Sequence, residues 1–370
     1  MAKNSIKALL VATLGLFMIL FCNISKAQEI TTLPVEQHTT EKKDEKLDPA
    51  KIIMDHIKDS HEFHFFSIGS FNASIPLPVI IYSPTNGLTE FSSSKFGEDG
   101  DVIYNGYGLD ENKQLYSSDG TKVYDFSITK NVVQMFLALT ILVVIMISAA
   151  KKYSTGQGLK TAPTGLQNAI EPIITFVRDD VARPNLGKKA DKYLPYLLTV
   201  FFFILINNLL GLLPGSANVT GNTAFTLVLG IISLIVILFS TNRHFWGHIF
   251  WPPGVPFLVK LILIPIELAG VLLIKPAALV IRLFANMVAG HIIILSFIVL
   301  IFIFGAMTTV AGYGFSPLSV AFAVFIYCIE ILVAFIQAFI FANLTAVFIG
   351  QSLEGEGHGN GNGHDDPIIA

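Results

Sequence analysis

From Pro276 to Phe304 the chain reads PAALVIRLFANMVAGHIIILSFIVLIFIF, and its only full charge is Arg282. A second run, Pro317 to Ile349, carries only Glu330. At about 1.5 Å of rise per residue either run, coiled as a helix, exceeds the roughly 30 Å hydrocarbon core of a bilayer. Such a chain cannot close a water-soluble core around them, and the composition agrees: 52% apolar and 14% charged residues, with a mean hydropathy of +0.63. The fold class expected is an all-α polytopic membrane protein. Within it Arg282 is the costly residue, because a guanidinium near the middle of a membrane helix costs about 2.5 to 3.5 kcal/mol even on a lenient scale. An intramembrane charge kept at that cost points to an ion pathway.

Charge asymmetry orders the rest of the chain. The formal net charge is −3, with no basic block long enough for nucleic acid, so lipid and other membrane subunits are the expected partners. Residues 1–27 look like a secretory signal peptide: Lys3 and Lys7 precede an apolar run that ends at the small residues Ser25 and Ala27. Cleavage there would leave Cys328 as the one cysteine, so no disulfide within the chain is expected. Residues 28–130 read as an extracytoplasmic extension, charged at first and then strand-like. HFFSI, PLPVIIY, VIYNGYGL and VYDFSI are separated by Asn-Gly and Asp-Gly turn signals, so a small β-rich unit is expected.

A transmembrane domain should occupy 131–350, with spans at Val132–Ala150, Tyr193–Leu213 and Ala224–Ser240 before the two long, strongly tilted ones. Lys151 and Lys152 mark a cytoplasmic end. GLQNAIEPIITFVRDDVA alternates at helical spacing, as a helix along the membrane surface would. Pro256–Ile274, with Lys260, Pro265 and Glu267, is not expected to cross separately, and GAMTTVAGYGFS is read as the connection between the last two spans. Five crossings from an outer start leave a Gly/Asn-rich cytoplasmic tail at 351–370.

Helical phase decides what accompanies Arg282. Ala278, Ala285, Asn286, Ala289 and Ser296 lie within about 60° of it, a stripe of small side chains suited to close approach by another helix that bears an acid. No such acid is evident in this chain, although a structural pair of Arg282 with Glu330 or Glu267 is the simpler alternative. His291 falls on the opposite side of the helix. On the last helix Glu330 and Gln337 share a face, beside alanines at 334, 338, 342 and 346.

KPAALVIRLFANMVAGH and ILVAFIQAFIFANLTAVFIG, together with NAIEPIITFVRDDVA, NNLLGLLPGSANVTGN and PIELAGVLLIKP, resemble the a subunit of the membrane sector of F-type ATP synthase, from about Ala162 to Ile349. The signal and long extension resemble the versions seen in Bacteroidetes-type bacteria. The resemblance implies a stator subunit without catalysis or cofactor of its own. Its partners would be the c ring, the b subunit of the stalk and the rest of the complex, in a bacterial inner membrane.

By resemblance Arg282 is the arginine facing the ring carboxylates, Gln337 and Asn286 stand beside it, and Glu267 is an acid near the proton inlet. His291 and Glu330 carry a His/Glu pair with the two residue types exchanged relative to many bacterial relatives. One residue more than usual lies between Glu267 and Lys275, which leaves the facing of Glu267 open.

Other chemistries fit less well. No Gly-rich nucleotide loop is present, so nucleotide should bind elsewhere. A secondary transporter would need internal repeats, and a membrane metalloprotease an HExxH pentapeptide; neither is found. His56, His61 and His64 near Asp55 and Glu62 are too loosely spaced for a metal site and are expected to be surface histidines.

Overall fold

A computed structural model of the chain describes residues 58–68, 71–97, 102–110, 113–154, 165–213, 215–241, 243–250 and 256–353. The expected signal peptide, His56 and the tail from 354 onward lie outside them.

The extension forms short antiparallel strands. β1 (Glu62–Ile68) pairs with β2 (Phe71–Pro76); β3 (Pro78–Ser83) pairs with β4 (Gly87–Ser92) and with β7 (Tyr124–Asp125); β5 (Tyr107–Leu109) pairs with β6 (Leu115–Ser117). The turn signals act as read. At Asn105-Gly106 both residues have positive φ, 52° and 79°, and Tyr104 and Tyr107 exchange two backbone bonds of 2.9 Å across them, a two-residue reversal that only such residues enter easily. Val79, Ile81, Phe96, Tyr107 and Leu115 close a small core of their own.

Among the described residues five helices are long and apolar enough to cross a membrane, by length and composition. α1 (Lys130–Ser154) is the first. α2 (Leu166–Phe176) continues through a π-helical turn at Val177–Ala182 and the short α3 (Arg183–Leu186) toward α4 (Ala190–Gly211). α5 (Thr223–Ser240) is the third long apolar helix and is followed by α6 (Arg243–Phe250). α7 (Phe257–Ala269) passes through a second π-helical turn, Gly270–Ile274, into α8 (Lys275–Met307). The stretch 256–274 is therefore not a separate span, as expected; it is the first part of one continuous 49-residue helix, Val259–Met307. α9 (Thr309–Leu353) follows.

The connection between the last two spans differs from the sequence expectation. GAMTTVAGYGFS is not a loop: α8 runs to Met307, Thr308 alone leaves helical geometry (φ −155°, ψ 144°), and α9 begins at Thr309 with Pro317 inside it. Two features make so short a reversal possible. The Thr308 hydroxyl accepts from the Ala311 amide at 3.2 Å, capping the new helix. A Cβ at Gly312 would stand 2.7 Å from Gly305 Cα, so the chain turns back at a glycine-to-glycine approach that side chains would block.

The core of the helical part sits where α4 meets α1, α5 and α9. Phe201, Leu197, Ile204, Ala338, Ala342 and Ala346 are all fully buried there. The alanine stripe of α9 is the close-packing surface that its period of four suggested, and it admits α4 against the helix backbone. α8 and α9 are otherwise lightly covered: only 17% of the most apolar window of each is buried, against 56% and 50% for the helices containing α4 and α5.

Candidate functional site

Arg282 lies on the uncovered side of α8. It is exposed, as are Ala278, Ala285, Asn286, Ala289 and Ser296, so the small-residue stripe lies largely open, with Asn286 at its edge reaching α9. No carboxylate lies within ion-pair distance of Arg282 among the described residues. The alternative pairing with Glu330 or Glu267 is therefore not formed. Leu279, Leu283, Met287 and Gly290, centred roughly a quarter turn round from Arg282, make up the buried face of α8.

One turn beyond Arg282, the Asn286 side-chain amide donates to Gln337 Oε1 at 2.9 Å. Gln337 is 4% exposed and sits in the alanine stripe of α9, so this bond fixes the register of α8 on α9 next to the arginine. His291 and Glu330 occupy the covered side. His291 Nε2 is 3.1 Å from the Gly211 carbonyl oxygen at the end of α4, and the half-buried imidazole thus tethers α8 to the start of the loop that follows α4. Glu330, 7% exposed, lies flat against Gly290: a Cβ placed there would overlap Cδ and both carboxyl oxygens. The missing side chain of Gly290 is the space the carboxyl group occupies. Glu330 Oε2 is buried and takes no hydrogen bond among the described residues.

Glu267 is half-buried on α7 and close enough to Lys275 to feel its charge. The π-helical turn Gly270–Ile274 falls between the two. A π turn accommodates one residue beyond an α-helical turn, so the extra residue noted in the sequence is taken up locally and the helix continues. Lys275 then closes the other end of the hairpin, donating to Gln351 Oε1 at 2.8 Å with its ammonium 4.9 Å from the centre of the Phe348 ring.

Sequence reasoning had assigned no role to three residues at this site. Asn208 (1% exposed) donates from its side chain to the Ala334 carbonyl oxygen at 3.3 Å, linking α4 to α9 one turn beyond Glu330. Gly290 and Gly211 are the other two, one giving space to Glu330 and the other a carbonyl to His291. The available signal was a pair of asparagines, Asn207 and Asn208, inside an apolar span.

In the extension His61 is not a surface histidine. It is 7% exposed and its Nε2 lies 2.9 Å from Asp125 Oδ2. Joining the residue just before β1 to β7 buries the ring, a contact that spacing could not reveal. No group of three metal-ligating side chains occurs among the described residues.

Comparisons with known proteins identify the family. A family model described as ATP synthase A chain matches residues 132–350, and one described as a domain of unknown function (DUF8433) matches 52–135. The chain is similar to ATP synthase subunit a of Chloroherpeton thalassium, 44% identical over 238 residues that cover 63% of this chain and 68% of the relative. It is also similar to proteins named ATP synthase subunit a 2. That of Chlorobaculum tepidum is 44% identical over 61% of this chain and 63% of the relative, and that of Prosthecochloris aestuarii is 44% identical over 65% and 73%. A match that spans more than half of the chain, holding the helices around Arg282 and Glu330, places it plainly: the chain belongs to the ATP synthase A chain family, subunit a of the F-type enzyme.

Proposed function

We propose that this subunit is the stator of the membrane sector, conducting protons through two half-channels to and from a rotating c ring. The observation that carries the reading is Arg282: a permanent cation on an exposed stripe of small residues, with no carboxylate of its own chain in reach among those described. A helix bearing an acid is the partner that such a stripe accepts, and the ring supplies one per subunit.

The mechanism follows from charge and solvation. Arginine keeps its charge in a low dielectric, where a buried lysine readily loses its proton, and it cannot pass protons along. A ring carboxylate opposite Arg282 is stabilised as the anion, whereas one turned into lipid is favoured as the neutral acid by desolvation. Rotation and protonation are thereby coupled, and Arg282 keeps the two half-channels from joining. His291 and Glu330 hold and pass protons on the covered side, with Glu267 nearer the inlet, while Asn286 and Gln337 set the arginine's helix against its neighbour.

One charge moving through 100 mV releases about 2.3 kcal/mol, too little for one ATP, so several steps are summed by the rotor. The phosphate chemistry belongs to other subunits. In the cell the chain would be multi-pass in the inner membrane, with 1–27 as signal, 28–130 periplasmic, 131–350 in the bilayer beside the c ring and b subunit, and 351–370 cytoplasmic.

The test is Arg282→Ala in the whole complex reconstituted in vesicles, following ATP-driven acidification and passive proton leak together. Pumping should be abolished, and Arg282→Lys should fail nearly as completely. Normal pumping in the alanine variant would overturn the proposal.

A further inference from the structure

We infer that the N-terminal extension is a brace for the outer mouth of the proton path, acting through Gln134 as a positioning residue; the inference rests on the proposed role of His291. The extension is joined to α1 without a flexible linker. Backbone bonds continue past β7, from the Phe126 amide to Ile80 O at 2.8 Å, from Ile128 to Pro78 O at 3.2 Å and from Lys130 to Ser60 O at 3.0 Å. The Asn131 amide donates to Asp59 Oδ1 at 3.3 Å, and His61 meets Asp125 across the same junction. The sheet therefore passes its position to the first turn of α1, because bonds from backbone amides recur at 126, 128, 130 and 131 along the connection.

That first turn ends on Gln134, 2% exposed. Its carboxamide treats Ala217 as a strand treats its neighbour. Oε1 accepts from the Ala217 amide at 2.6 Å, and the Nε2 amide donates to the Ala217 carbonyl oxygen. Ala217 lies in the loop between α4 and α5, where Ala217 O and Asn218 Cα are 3.5 and 3.9 Å from a Cβ built on Gly211. The same methyl position is 3.6 Å from Met287 Cε, and the Gly211 carbonyl faces His291 Nε2. A line of bonds thus runs from Asp125 and His61 through α1 and Gln134 to Ala217, whose loop lies close beside Gly211, the residue whose carbonyl oxygen faces His291. The geometry gives the extension work to do: it holds the loop against α8 so that the imidazole keeps its orientation toward the outer side.

The experiment uses the full-length chain in the reconstituted ATP synthase. Gln134→Met keeps the side-chain volume and removes both bonds. Amide exchange of residues 217–221 should then accelerate roughly tenfold. ATP synthesis at a fixed membrane potential should need a more acid outer side, while its dependence on cytoplasmic pH and the ATPase rate of the detached head stay as in the parent. Asp125→Asn, at the far end of the line, should move the outer-pH profile in the same direction by a smaller amount, which keeps the test open if Gln134→Met does not assemble. An unchanged outer-pH profile in either assembled variant overturns the brace. If His291→Ala also leaves pumping intact, the fault lies instead with the proposed proton path.

Discussion

Gly290→Ala is the sharpest perturbation the helices allow, since one methyl group would fall on the carboxyl group of Glu330, overlapping Cδ and both oxygens. Glu330 is 7% exposed, and its neighbour one turn on, Ala334, is 2% exposed, so there is little open space into which the acid can swing. If the carboxyl holds its place, α8 and α9 must separate, and overpacking of this kind costs about 1 to 3 kcal/mol. For a membrane domain of this size that is a fall of roughly 2 to 12 °C in unfolding temperature in detergent.

If instead the acid moves, stability is largely kept, but a displacement of about 1 Å in a proton-handling group can slow its reaction on the order of a hundredfold. The two responses separate in one pair of assays, thermal unfolding of the purified complex and ATP-driven proton pumping in vesicles. Glu330→Asp, one methylene shorter, should restore part of whichever quantity Gly290→Ala lowered. Wild-type unfolding together with wild-type pumping in Gly290→Ala would refute the argument, because the methyl group would then have met no carboxyl there.

Other expectations are briefer. Gln337→Leu removes the acceptor of the Asn286 amide at 2.9 Å and should cost about 1 kcal/mol while slowing pumping; Asn286→Leu should match it, and the double variant should be clearly less than additive. Ala342→Leu forces a large side chain into a fully buried contact with α4 and should prevent assembly, read as loss of subunit a from the purified complex. In the extension, burial pushes the Asp125 carboxyl up, but the bonds from His61 and Ser127 outweigh it and hold it below its ordinary 3.8. A depressed carboxylate stabilises the folded form above its unfolded value and loses that effect as pH falls through the folded one, so the contribution of Asp125 should be lost below about pH 4, read as faster amide exchange at 60–62 and 125–128. In Asp125→Asn this acid-induced loosening should be smaller.

Much of this could be read from residue order because periodicity carries it. The alanines at 334, 338, 342 and 346 repeat at the helical interval and are buried together, and the stripe about Arg282 is open as its mismatch with any acid of the chain suggested. Asn-Gly turns are legible because so few residues enter positive φ. What escaped was set by approach across the fold. The reversal at Thr308 depends on Gly305 meeting Gly312, the burial of His61 on Asp125 standing 64 positions away, and the grip of Gln134 on a backbone 83 positions away. None of these leaves a repeat in the sequence; a glycine that makes room for a distant carboxyl group looks like any other glycine.

The antiparallel pair α8–α9 is fastened at both extremities, by the one-residue reversal at Thr308 and by Lys275 on Gln351 and Phe348. Two beams pinned at their ends cannot slide past one another; a sideways load on the bare face can only bow them. If a rotor pushes there, as proposed, the load would be stored as elastic flexure across the span and returned when it passes, with the register of Arg282 kept.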